Sequence, residues 1–297
     1  MMMKKGTATA DRAFNAVNVI FLVLILLLVA YPIYFVFIAS ISDPNLVSAG
    51  KVWLYPRNVQ WMGYEMLLQT HTIWLGYRNT VVYTLVGTLI NMVVTLPAAY
   101  ALSSKRFPSR RIVMFLFTFA MIFQGGIIPT YLIVKSMNML NTIWALTIPT
   151  AYNVFNLIVA RSYFDSLPGE LSEAATIDGC TEFQLFIRVV LPLSSSMMAV
   201  LALYYGVGHW NNYFNALIYI SDNTKFPLQV YLRDLLILNQ KLAASDSGDA
   251  AYMEKMRIMA ELIKYGAVIV ASIPLMIIYP FVQKYFVKGV LIGAVKG

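Results

Sequence analysis

The sequence predicts an all-α, polytopic membrane protein, and three observations predict it. Hydrophobic residues make up 59% of the 297-residue chain and charged residues 12%, where a soluble domain carries ~45–50% and ~25%. Mean hydropathy is +0.68. Asp, Glu, Lys and Arg are absent from six windows, 13–42, 79–104, 112–134, 136–160, 189–221 and 265–283. Each window approaches or exceeds the ~20 apolar residues that a ~30 Å hydrocarbon core requires. So few polar side chains cannot cover a water-soluble globule, which excludes a soluble enzyme, a disordered regulator or a nucleic-acid module. Barrel strands would be shorter and would alternate polar with apolar residues, and these windows do not.

The chain is therefore expected to form one membrane domain over 1–297, with six transmembrane helices near 13–42, 79–104, 112–134, 136–160, 193–217 and 264–284. The first window exceeds the ~7–15 apolar residues of a signal-peptide core, and no small-x-small site directly follows it. It is expected to remain as the first helix. Orientation follows from the basic residues, which favour cytoplasmic loops. Lys4, Lys5 and Arg12 precede the first span, Lys105, Arg106, Arg110 and Arg111 lie between the second and third, and Lys284, Lys288 and Lys296 follow the sixth. Six crossings place all of these in the cytoplasm, with both termini. The loops 43–78, 135–142 and 222–264 are then external, with Trp53, Tyr55 and Trp61 suited to the lipid–water interface. Pro32, Pro97, Pro129, Pro149, Pro274 and Pro280 fall in or beside the spans. They are compatible with ordinary bundle geometry or with bending around a pathway.

One cytoplasmic loop is acidic. Residues 161–188 carry Arg161 and Arg188 against Asp165, Glu170, Glu173, Asp178 and Glu182. Pro168 suits a first helical turn. Glu170 and Glu173 sit where the helix dipole favours anions. Gly179 suits a left-handed cap, and Thr181 with Gln184 has capping-box spacing. The pattern predicts a short helix, a sharp turn and a second short helix leading through Phe183, Phe186 and Ile187 to Pro192. Helices this short are marginal alone, and those three apolar residues need cover. Two readings stand, an interfacial helix pair or a knob on which another protein docks.

The string EAATIDG, with Leu191–Pro192 after it, resembles the EAA loop (here 165–192) of permease subunits in binding-protein-dependent ABC importers. Glu173, Ala174, Ala175, Asp178, Gly179, Leu191 and Pro192 match that motif. Ser196 departs from it, standing where many family members carry a second proline. FQGGIIPTYL (Phe123–Leu132), NTIWALTIP (Asn141–Pro149) and the closing KGVLIGAVKG resemble the carbohydrate branch. The likeness is to the maltose-type second permease, in the subgroup that takes up complex oligosaccharides or polysaccharide fragments. WNNYF (Trp210–Phe214) and FPLQVYL (Phe226–Leu232) match more loosely.

The resemblance implies a bacterial cytoplasmic-membrane permease that moves a sugar inward. It implies a heterodimer with a second permease, two cytoplasmic ATPases docked on the EAA loops, and an extracytoplasmic solute-binding protein. ATP and magnesium would belong to the ATPases. No G-x-x-x-x-G-K-[ST] occurs in this chain, and no cofactor, metal site or catalytic residue is expected in it. Trp210, Asn211, Tyr213 and Asn215, with Asn212 and His209 beside them, are candidate substrate-pathway residues, because polar groups in lipid face a cavity or another helix. Phe226, Leu228 and Tyr231 are candidate contacts for the binding protein, on a segment 226–238 expected to be an amphipathic helix. KLAASDSGDA (Lys241–Ala250) reads as a turn. The tail GVLIGAVKG is expected either to lie against the ATPases or to fray. The rival from another class is an ion-coupled secondary transporter, which would ordinarily place a carboxylate within its spans. An intramembrane enzyme would need a constellation that two histidines and one cysteine do not supply.

Overall fold

The computed structural model describes residues 5–123, 125–244 and 250–294, and its regular elements are helical. In chain order they are α1 (Lys5–Ser40), α2 (Pro44–Ser48), α3 (Met62–Gln69), α4 (His71–Ser103) and α5 (Arg110–Ile122). Next come α6 (Ile127–Ser136), α7 (Ile143–Thr147), α8 (Val154–Asp165), α9 (Gly169–Ile177) and α10 (Glu182–Leu185). They end with α11 (Leu191–Leu193), α12 (Ser195–Trp210), α13 (Phe214–Tyr219), α14 (Leu228–Ala244) and α15 (Ala250–Ala294). A π-turn, Phe186–Val190, joins α10 to α11, and a 3₁₀ turn, Asn223–Lys225, precedes α14. The chain divides into two units: residues 1–70 with 234–271, and 71–233 with 272–297.

In the first unit, α1 is apolar and exposed all round from Phe14 to Tyr34, as a helix in lipid must be. Its end turns inward: Ile38 and Ala39 are buried with Val47 and Val52, and Phe35 meets the ring of Tyr265 edge-on at 6.2 Å. Asp43 caps α2 by accepting the Asn45 N–H at 2.9 Å. The Ser48 hydroxyl donates to the Glu261 carboxylate. Trp53, Tyr55 and Trp61 are exposed.

In the second unit, α4 is the central rod, packed by α8 and α12. Its buried face includes Gly76, Thr80, Gly87, Asn91, Thr95 and Ala99, spaced by helical turns. Small residues on one face let backbones approach closely, which drives helix association where lipid removes the hydrophobic contribution. Larger side chains from α4, α8, α10, the π-turn and α12, among them Leu102, Leu157, Phe164, Leu185, Phe186 and Leu201, close the core beside it.

Three described helices are long and apolar enough to cross a membrane: Phe14–Ser40, His71–Ser103 and Ile263–Phe281. The count is five if two bent pairs, α5 with α6 and Glu182–Leu193 with α12, are each one span. The remaining windows are broken, and the breaks have causes. Gly126, at φ +82°, separates α5 from α6. Asn138 and Asn141 adopt left-handed φ values of +54° and +59° ahead of α7. Pro149 follows α7, and Asn153 starts α8 by accepting the Asn156 N–H at 3.0 Å. The window 136–160 is thus two helices with turns, where its freedom from charge alone suggests one rod. The helix expected over 226–238 is present as α14. Residues 245–249 of the turn expected at 241–250, and the tail end 295–297, lie outside the described residues.

Candidate functional site

The acidic loop folds as its spacing predicts. α9 ends at Ile177 with Asp178 as its C-cap, and Gly179 follows at φ +74°. The Cys180 N–H donates to Ala175 O at 2.9 Å and the Gly179 N–H to Thr176 O at 3.1 Å, the paired bonds of a Schellman motif. Thr181 and Gln184 form the reciprocal capping box at 3.3 and 3.0 Å. The Leu191 N–H reaches back to Phe186 O. That wide turn falls where Pro192 has no N–H for the Arg188 carbonyl. At Ser194 the arm Glu182–Leu193 meets α12 at 82°, with the Ser194 hydroxyl donating to Val190 O at 2.7 Å.

This hairpin is anchored on one side and open on the other. Phe186 stacks on Tyr100 at 4.9 Å and meets Phe164 edge-on. Glu182 accepts from Arg106 at 2.6 Å and from the Tyr100 hydroxyl at 3.2 Å. The alanine pair divides: Ala175 is buried in the chain's own core, whereas Ala174 is exposed. Glu173, Asp178, Gly179 and Pro192 are exposed as well, and Leu191 packs partly against the core. Ile177 at 86%, Phe183 at 73% and Ile187 at 43% exposure leave an apolar face open beside the acids.

The segment before α14 is a fixed plate. The Asn79 amide donates to Thr224 O and Phe226 O at 2.8 and 3.0 Å, and the Tyr83 hydroxyl to Lys225 O at 2.8 Å. Asn141 Oδ1 accepts the N–H groups of Ser221 and Asp222 at 2.6 and 3.1 Å. The Thr224 hydroxyl and N–H hold the Asp222 carboxyl below the usual carboxylate range. Leu228 is fully buried, its N–H donating to Thr80 Oγ1 at 2.8 Å. It is therefore a packing residue and presents no surface to a binding protein. Phe226 and Tyr231 are half-buried, edge-on at 6.1 Å.

Two adjoining cavities of about 560 and 550 Å³ lie in the second unit. They share Pro149, Thr150, Tyr152, Asn153 and Asn215. Asn156, Tyr204, His209 and Asn212 line the second. Of the four residues expected on the pathway, Asn215 lies on both cavities. Trp210 is instead buried with its ring edge-on to Tyr77 at 6.1 Å. The Asn211 amide donates to Val207 O at 3.0 Å, closing the end of α12. Tyr213 is 43% exposed against Phe214. Sequence reasoning missed Tyr152, Asn153, Asn156 and Tyr204. Two asparagines inside the apolar window 136–160 carried the same signal as those in 210–215.

The cavity wall is held by a buried relay. Asn91 Nδ2 donates to Thr150 O at 2.5 Å. A carbonyl only accepts, so the Asn91 oxygen faces His209, 2.6 Å from Nε2, and Nε2 carries the hydrogen. The relay ties α12 through α4 to the turn that bears Tyr152 and Asn153. It needs Gly87, because a Cβ there would lie 2.5 Å from the His209 ring.

Residues 71–292 match the family described as binding-protein-dependent transport system inner membrane component. The chain is 38% identical over 288 residues to Protein LplC of Bacillus subtilis, covering 97% of this chain and 96% of that protein. It is also 38% identical over 288 residues to the polygalacturonan/rhamnogalacturonan transport system permease protein YtcP of the same organism, covering 97% and 99%. A chain in the crystal structure of a bacterial ABC transporter that imports the acidic polysaccharide alginate superposes with a TM-score of 0.81 at 31% identity, covering 96% and 99%. With its α4-centred bundle and an extent matching these relatives almost end to end, this chain belongs to the family of binding-protein-dependent transport system inner membrane components, the permease subunits of ABC importers.

Proposed function

We propose that this permease imports an oligosaccharide or polysaccharide fragment, handed over by an extracytoplasmic binding protein, and that ATP hydrolysis in partner subunits drives it through the hairpin 165–192. The observation that carries the reading is the hairpin's two-sidedness. Phe186, Leu185 and Ala175 lock it to α4 and α8, while Glu173, Ala174, Ile177 and Phe183 stand open. Burying a large apolar side chain gains roughly 1.5–3 kcal/mol, so an exposed Ile–Phe face flanked by carboxylates suits a protein cleft with basic groups. A rigid arm meeting α12 at 82° is suited to carry displacement of its tip into the bundle.

The topology proposed with it has six crossings and cytoplasmic termini, with α7 and α8 together completing the count. Basic residues at 105–111 then share the cytoplasmic side with the hairpin, and the 221–231 plate is external. The assembly is a heterodimer with a second permease, two ATPases and one binding protein. The sugar cargo is supported by the names of YtcP and the alginate importer. The test is uptake into proteoliposomes holding the assembled importer, with ATP inside and sugar-loaded binding protein outside. Accumulation that needs both is expected. Uptake by this chain alone on an ion gradient would establish a secondary transporter instead.

A further inference from the structure

Polar groups converge on the paired cavities, several of them without partners among the described residues. Asn153 and Asn212 use their side-chain oxygens to accept the N–H groups of Asn156 and Asn215, at 3.0 and 3.3 Å. Among the described residues, their Nδ2 groups donate to nothing. The same holds for the Asn215 amide and for the Tyr152 and Tyr204 hydroxyls, on rings 49% and 50% exposed. Of the other polar side chains of the second cavity, Tyr205 bonds Thr95 at 2.7 Å, His209 bonds Asn91 and Thr150 donates to Leu146 O, while the buried Asn156 amide adds a further donor and acceptor to the lining. Neither cavity's described lining includes Lys, Arg, Asp or Glu.

Unpaired amides and phenols in an apolar bundle are costly unless a ligand or water satisfies them. Amide NH₂ groups donate to hydroxyl oxygens, and phenols both donate and accept. Exposed rings pack on the C–H face of a pyranose. Carboxylates are held by guanidinium or ammonium groups, which this lining lacks. We infer that Tyr152, Tyr204, Asn153, Asn212 and Asn215 form a sugar subsite on this permease's own wall, selecting the uncharged, hydroxyl-bearing face of a saccharide over a carboxylate. The inference rests on the proposed sugar cargo and adds to it which subunit touches that cargo and through which chemistry.

The test is equilibrium dialysis of the assembled importer with the binding protein omitted, so that the permeases alone hold the probe. A neutral xylotriose and a trigalacturonate serve as probes. Xylotriose retention at least equal to that of trigalacturonate is expected. Tyr204→Ala and Asn212→Asp should each weaken xylotriose retention at least fivefold, and Tyr204→Phe less than Tyr204→Ala. Asn212→Asp keeps the acceptor for the Asn215 N–H and removes only the donor. The Tyr204 variants stand alone if the asparagine variant fails to assemble. Unchanged retention in Tyr204→Ala, stronger retention of trigalacturonate, or no retention by the unsubstituted importer would each overturn the subsite. ATP-driven uptake persisting in that case would leave the proposed function standing.

Discussion

Gly179 and Gly87 show two separate reasons for a glycine. At Gly179 a Cβ would meet nothing within 4 Å, but φ is +74°, a conformation that costs other residues ~1–2 kcal/mol. Gly179→Val is expected to abolish coupled uptake while leaving membrane insertion intact. Gly179→Asn, which tolerates left-handed backbone, should retain most of it. Uptake assays beside membrane-fraction blots check both. At Gly87 the constraint is space, with the His209 ring where a Cβ would go. Gly87→Ala should destabilise by ~1–3 kcal/mol, as overpacking does, read as a lower melting temperature in detergent. In a double-mutant cycle, His209→Ala should recover part of that loss. Strict additivity would show that the ring is not what Gly87 accommodates.

Among the elements, what the sequence made legible was local. The capping box at Thr181 and Gln184 and the glycine stop after α9 are set by neighbours a few residues apart, so their spacing showed them. The relay behind the cavity was not legible, because Asn91 is 59 residues from Thr150 and 118 from His209. Window 136–160 misled for a related reason. Freedom from charge shows that a segment tolerates lipid or a core, whereas its division into α7 and α8 follows from Asn138, Asn141, Pro149 and Asn153. Asn141 is the sharpest case, since its side chain ties its own turn to Ser221 and Asp222. Asn141→Ala removes bonds worth ~0.5–1.5 kcal/mol each and leaves alanine at φ +59°. Amide exchange at Ser221 and Asp222 should accelerate about tenfold or more. Unaltered exchange would mean that Asn79 and Tyr83 hold the plate alone.

Across the whole molecule, labour is divided along the chain. The α4-centred bundle supplies a polar cavity wall, and the hairpin 165–192 supplies an open acidic and apolar knob. In the proposed assembly the energy source is an ATPase in another subunit. The central claim is that this knob seats on that ATPase. A photoreactive amino acid at Ile177, 86% exposed at the knob's tip, tests it in the importer assembled in intact cells. Illumination is expected to join this chain to the ATPase, in a yield that changes with ATP. An adduct with the extracytoplasmic binding protein, or none with the ATPase, would contradict it.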